Sequence, residues 1–144
     1  MGIVDYFFKC REQPQREFDA GALGMLRWSD DDEAWRGMFN GVEFFVFPDE
    51  SRDTQPGEAL RYAESILMSF DWLKDAVESK KTTYVFEHPQ FASELQNLGI
   101  ESLSFSVHKK KGRYLNCQLG YGSPDRFWTL DFHDRKCSGI GFDT

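Results

Sequence analysis

Apolar positions in this chain follow a helical period in the middle and strand alternation on both sides of it. Between Pro56 and Lys81, Ala59, Ala63, Ile66, Phe70, Leu73 and Val77 step by four, three, four, three and four, and Leu67 widens the stripe. That spacing places all seven on one side of an α-helix. Pro56 suits a first turn, Glu58 the positive end of the helix dipole, and Lys80 and Lys81 its negative end. The pattern predicts one long helix over 56–81.

Upstream, residues 19–47 predict a three-stranded meander. Its strands are Ala22–Trp28, Ala34–Phe39 and Val42–Phe47, joined by Ser29–Asp32 and by Asn40-Gly41. Asn-Gly between apolar runs is a strong hairpin signal, because both residues accept positive φ. Trp35, Gly37 and Phe39 share one face of the second strand. Val42, Phe44 and Val46 share one face of the third, and Phe45 and Phe47 the other.

Downstream, Thr82–Phe86 is β-prone and reads as a short strand or a buried extended connection. Pro89 opens a second, shorter helix to Leu98, with Gly99 where a C′ glycine belongs. The last third alternates again. Leu103, Phe105 and Val107 are set between Ser102, Ser104, Ser106 and His108, and Leu115, Cys117 and Leu119 between Tyr114, Asn116 and Gln118. Trp128, Leu130 and Phe132 form a further inward set, and Gly139-Ile140-Gly141 reads as a glycine-thinned edge strand. Strands grouped apart from helices point to α+β. The predicted architecture is a curved antiparallel sheet, three N-terminal and about four C-terminal strands, packed on one long and one short helix. Residues 1–18 read as a short apolar N-terminal segment (Ile3, Val4, Phe7, Phe8) and polar linker, and residues 19–144 as a single domain.

Composition sharpens this picture in three ways. Fourteen phenylalanines in 144 residues argue for a packed core rather than disorder. A net charge of −7 argues against general nucleic-acid binding, which needs a basic face. Three cysteines, Cys10, Cys117 and Cys137, with no CxxC spacing, read as reduced thiols. The start lacks a basic region and carries Asp5, unlike a signal peptide, and no apolar run approaches membrane-spanning length. These features predict a cytoplasmic protein.

Candidate chemistry is sparse. His108, Cys117, His133 and Cys137 are zinc-ligand types, but no tight knuckle spacing joins them, and the reading is no metal. Asp131 and His133 lie two apart and so share a strand face, where a carboxylate could orient and charge an imidazole. No GxSxG occurs, and no helix follows Gly139-Ile140-Gly141 to bind a phosphate. Two charge clusters stand out. Asp30, Asp31, Asp32 and Glu33, with Asp49, Glu50 and Asp53, fall on two loops that the meander sets at one end of the sheet. Lys109–Lys111 with Arg113 cap another turn.

Trp35-Arg36-Gly37, Asn40-Gly41, a Phe/Val-rich strand, an alanine-bearing helix and a meander beginning Ile100-Glu101-Ser102-Leu103-Ser104-Phe105 stand in a familiar order. Over residues 20–142 it resembles a group of small bacterial domains of unknown function that pair a W-x-G…G hairpin with a helix and a final sheet. Some relatives of that group, encoded beside polymorphic toxins, are suspected immunity proteins. Trp35 and Gly37 match as fold residues. The resemblance implies a binding role, with no cofactor and no catalytic residue.

Three functions follow in order. The first is a non-enzymatic binding protein, an immunity-type inhibitor whose acidic loops engage a basic toxin. The second is a small ligand-binding domain or enzyme using the polar sheet face of His108, Asn116, Gln118, Asp131 and His133. The third is an adaptor docking through its apolar N-terminus.

Overall fold

The computed structural model of the chain describes residues 16–48, 57–108, 112–120 and 126–143. The apolar segment at Ile3–Phe8, Pro56, and Lys109–Lys111 lie outside the described residues.

Among the described residues four strands come first: β1 (Glu17–Asp19), β2 (Met25–Ser29), β3 (Ala34–Phe39) and β4 (Val42–Val46). Three helices follow, α1 (Glu58–Leu67), α2 (Phe70–Glu87) and α3 (Ala92–Gln96). Then come β5 (Ile100–His108), β6 (Gly112–Leu119), β7 (Phe127–His133) and β8 (Lys136–Asp143). All eight strands form one open sheet in sequence order, so the fold is α+β as expected. Neighbours are antiparallel except β4 and β5, which run parallel with Phe44 beside Leu103 and Val46 beside Phe105. A parallel pair needs a long crossover, and the helices supply it.

The Asn40-Gly41 hairpin forms as expected, with φ of 50° and 77° at the two turn residues. Before it, the expected strand Ala22–Trp28 is shorter. Gly21–Leu23 is a 3-10 turn, and the strand begins only at Met25. An additional edge strand, Glu17–Asp19, pairs with β2, and its first two residues belong to the segment 1–18 expected as linker. Short side chains at Gly21 and Ala22 give no pleated surface to pack, whereas Phe18 does, and it tilts against Trp35 at 6.0 Å.

The single long helix is two. The expected stripe runs along both, but α1 closes with the Met68 N–H on Glu64 O and the Ser69 N–H on Ile66 O. Ser69 leaves helical geometry at φ −114°, ψ 47°. Ser69 Oγ donates to Ser65 O at 2.6 Å, and Arg135 donates to Ser65 O and Ser69 Oγ, both at 3.1 Å. Ser65 O, which loses the Ser69 N–H at the break, is therefore partnered by two side chains. One straight helix of 26 residues would run roughly 39 Å in a single direction. The break lets α1 lie on β4 and β5 while α2 turns to reach β8.

Thr82–Phe86, expected as strand or extended connection, is the helical end of α2. Packing overrides propensity here: Tyr84 meets Trp128 edge-on at 5.4 Å, and the threonine hydroxyls bond back into the helix. Thr82 Oγ1 donates to Glu78 O at 2.9 Å and Thr83 Oγ1 to Ser79 O at 3.1 Å. The second predicted helix, Pro89–Leu98, is a 3-10 turn at Pro89–Phe91 followed by the short α3. Gly99 does not adopt a left-handed cap; the Leu98 N–H closes the turn on Leu95 O.

The core lies between the helices and one sheet face. Leu26, Phe44, Leu103, Phe105, Leu115, Cys117, Leu130 and Phe132 from the strands meet Tyr62, Ile66, Leu73 and Val77 from the helices, and all are buried. Tyr62 packs edge-on to Phe105 at 5.6 Å, and its hydroxyl donates to Asp134 O at 2.6 Å, tying α1 to the β7–β8 turn. Lys81 is inside α2 rather than at a helix end, and only 4% exposed. Its Nζ donates to Leu98 O at 2.6 Å and Glu78 Oε1 at 3.0 Å, which meets the need of a buried ammonium for partners.

Candidate functional site

Two surfaces carry the residues singled out from the sequence. The first is the turn between β2 and β3. Asp30, Asp31, Asp32 and Glu33 are all exposed there, yet the turn is tied down by its own side chains. Trp28 Nε1 donates to Asp30 Oδ1 at 2.9 Å, and Ser29 Oγ donates to Asp32 Oδ2 at 2.7 Å. The Asp32 N–H in turn donates to Ser29 Oγ at 3.3 Å, and Glu33 closes the turn at φ 53°. Trp28 is itself fixed, edge-on to Trp35 at 5.4 Å and with the Arg16 guanidinium 4.7 Å from its ring centre. Four successive acidic side chains are thus presented on a braced loop. Strand β4 runs out toward the same end, since Val46 pairs with Trp35 and Ala34 with Ser29. Asp49, Glu50 and Asp53 lie outside the described residues.

The second surface is the face of β5, β6 and β7 turned away from the helices. Strand alternation brings His108, Asn116, Gln118, Asp131 and His133 to it, because their neighbours Leu115, Cys117, Leu130 and Phe132 are buried on the other face. Register then sorts the five. Asn116 is opposite Asp131, and Tyr114 is opposite His133. Asp131 Oδ1 accepts from both the Tyr114 hydroxyl and Asn116 Nδ2, the latter at 2.8 Å. The Asp131 carboxylate thus bonds across strands: Asn116 stands directly opposite it, and the long Tyr114 side chain reaches it on the diagonal from its own partner His133. Gln118 is bonded outside the cluster and accepts from Ser102 Oγ at 3.3 Å. The two histidines are exposed and flank the Tyr114 ring, His133 at 5.3 Å and His108 at 6.4 Å.

Tyr114 is the member sequence reasoning did not single out as a site residue. Its phenol is pushed up to about 12, first by burial and then by its hydrogen bond to the Asp131 carboxylate. It therefore stays a proton donor at neutral pH. Alternation already placed it on the polar face; what was missing was the β6–β7 register. On the opposite side of the sheet the Cys117 thiol is raised to about 12 by burial and the nearby Cys137, and Cys137 is raised by burial. The four residues of zinc-ligand type thus divide, with His108 and His133 on one face and Cys117 and Cys137 on the other.

Two further features carry polar side chains. Glu94 of α3 accepts a two-point bond from Arg126, at 2.6 and 2.9 Å, and a bond from Trp128 Nε1, which clasps α3 to β7. A cavity of about 470 Å³ opens at the break between α1 and α2, lined by Phe39, Asn40, Leu67, Met68, Phe70, Asp71 and Lys74. No helix among the described residues is long and apolar enough to cross a membrane. A scan against protein-family models, a search of curated proteins and a search of solved structures each returned no match for this chain.

Proposed function

We propose that this chain is a non-enzymatic binding protein, of the immunity-inhibitor type, that holds a basic protein partner against the acidic end of its N-terminal sheet. The observation that carries the reading is the bracing of the Asp30–Glu33 turn by Trp28 and Ser29. A loop that is acidic only for solubility has no need of a fixed shape. Ordered carboxylates lose less side-chain freedom on binding, so more of their attraction to lysine and arginine appears as affinity. With a chain net charge of −7, the encounter with a basic partner is also accelerated at low ionic strength.

The test is capture of partners from host lysate by tagged protein at low and high salt, compared with Asp30→Asn/Asp31→Asn/Asp32→Asn. Asparagine keeps the side-chain oxygens that accept from Trp28 and Ser29, so the turn is retained while three charges go. One stoichiometric basic protein, released by salt and lost in the variant, is the expected result. A partner held equally by both proteins and at both salts would refute the reading.

The Asp131 cluster favours a second reading, a small-ligand site on the polar sheet face. Tyr114 and Asn116 organise a carboxylate with two exposed histidines beside it, a surface suited to a cationic or hydrogen-bonding ligand. Binding that survives the triple asparagine change but fails with His133→Ala would select this reading over the first.

A further inference from the structure

The two edges of the sheet are managed differently. Strand β1 offers three residues, two of them the exposed acids Glu17 and Asp19, which is how edges are commonly protected. Strand β8 offers eight, from Lys136 to Asp143, and is the last strand of the sheet. Its centre is Gly139-Ile140-Gly141, and a Cβ at either glycine would meet no atom of the described residues within 4 Å. Among the described residues no strand pairs with β8 on its far side, so its outward-turned N–H and C=O groups are open to a close approach by another backbone.

The sequence of β8 selects the occupant. Opposite residues of an antiparallel pair point to the same side of a sheet, so a two-fold pairing of β8 with itself must centre on one residue. On the β7 side, Asp131 faces Gly139, Phe132 faces Cys137 and His133 faces Lys136, which leaves Ser138 as the extra residue of a bulge. Carrying the same bulge to the free side and centring on Ile140 gives a consistent register. Ile140 meets its symmetry mate, Gly139 meets Gly141, Cys137 and Ser138 together meet Phe142, and Lys136 meets Asp143. The lone cation and the lone anion of the strand thus pair twice, the glycines face one another without side chains, and Ile140 and Phe142 continue the apolar side.

We propose that β8 is a self-association edge, and that two copies of the chain join through antiparallel β8 strands into one continuous sheet with Ile140 on the two-fold axis. The proposal stands apart from the acidic turn, which is at the other end of the strand order. It also has the opposite salt response, because screening relieves repulsion between two chains of net charge −7.

The experiment is molar mass by light scattering over a concentration series, on the full chain and on exposed-residue variants. The wild type is expected to rise from 16.8 kDa toward twice that value and to hold the higher mass in high salt. Asp143→Lys or Lys136→Asp alone sets like charges against each other at both ends, and the mass should fall to the monomer. The combined swap Lys136→Asp/Asp143→Lys should restore the dimer. Ile140→Cys adds a geometric reading. Facing strands hold opposite Cα atoms about 4.5–5.5 Å apart, inside the roughly 4.4–6.8 Å that a disulfide spans. Oxidation should therefore link two Ile140→Cys chains to a greater extent than wild-type chains, whose own cysteines serve as the control. A wild type that stays at 16.8 kDa to its solubility limit would overturn the proposal. So would a dimer equally strong in Asp143→Lys, or a swap that fails to restore it.

Discussion

Gly37→Ala is the sharpest test of how the N-terminal sheet meets the core. A Cβ built at Gly37 falls 2.6 Å from Phe44 Cζ and 2.7 Å from Leu26 Cδ2, well inside contact distance. Neither neighbour can swing aside into solvent, because Phe44 and Leu26 are both fully buried. Overpacking a filled core costs about 1–3 kcal/mol. The loss of glycine's freedom in the unfolded chain returns about 0.4–1 kcal/mol. With both obstructing side chains enclosed, the net destabilisation should be about 1.5–2 kcal/mol, and Tm should fall by roughly 4–10 °C. Thermal and urea unfolding of the purified protein measure this directly. Gly99→Ala is the matched control: it has open space at its Cβ and no positive φ, so it should be neutral or stabilising by up to about 1 kcal/mol. Combining Gly37→Ala with Leu26→Val should cost less than the sum of the two, because the shortened side chain opens the space the methyl needs. If Gly37→Ala unfolds no earlier than wild type, or the two changes are strictly additive, the close approach does not govern this position.

Two more outcomes follow from the clasp and from the raised acids. Glu94→Gln keeps the shape of the Arg126–Trp128 clasp but removes its charge, and Glu94 and Arg126 side chains are 13% and 31% exposed. The expected cost is about 1–3 kcal/mol, toward the lower end because the arginine is partly screened by solvent, with a shift in Trp128 fluorescence; a change below about 0.5 kcal/mol in urea unfolding would show that the ion pair is idle. Cys117 and Tyr114 are both raised to about 12, from 9.0 and 10.0. Groups with raised folded values contribute stability that is complete below the unfolded value and lost as pH climbs to the folded one. Stability should therefore decline from pH 9 as Cys117 begins to ionise in the unfolded chain, and more steeply from pH 10 as Tyr114 and Tyr62, whose phenol burial raises further still, join it. Urea midpoints across pH 8–12 check this, and Cys117→Ala should flatten the first part of the decline; an unchanged slope would refute the assignment.

The parts of the fold legible in the sequence were those set by short-range sterics and burial. Asn40-Gly41 fixed its hairpin because two successive positive-φ positions admit few other residues, and the alternation of β5, β6 and β7 identified every inward side chain named for them. The α1–α2 stripe was also legible, since burial imposes its period whatever the helix axis does. The break at Met68–Ser69 was not, because neither residue forbids a helix. It depends on Arg135, some seventy positions away, reaching Ser65 and Ser69. Thr82–Phe86 failed for a related reason: the β-branched run has a weak local preference, and contacts of Tyr84 with Trp128 and Phe91 outweigh it. The parallel β4–β5 pairing likewise carries no local mark.

The candidate sites were legible to the level of a face but not of a contact. Alternation gave the plane that holds His108, Asn116, Gln118, Asp131 and His133, yet which side chains meet across strands is decided by register. Register within β6–β7 depends on where the connection between the strands lets them begin, and residues 120–126 carry no Asn-Gly signal of fixed length. This is why Asp131 was matched with His133 along its own strand while its bonds run to Tyr114 and Asn116 on the next. The same reasoning separates the two kinds of surface in this protein. At Asp30–Glu33 the chemistry and the geometry come from one short stretch, Trp28 to Glu33, so substitutions there should change binding without disturbing the sheet. At the Asp131 cluster the geometry is held by two strands whose other faces form the core, so a change that shifts the β6–β7 register would move every inward side chain with it. Probes of that face must therefore be confined to outward side chains, as Asp131→Asn and the exposed His133→Ala are, if a lost function is to be told from a lost fold.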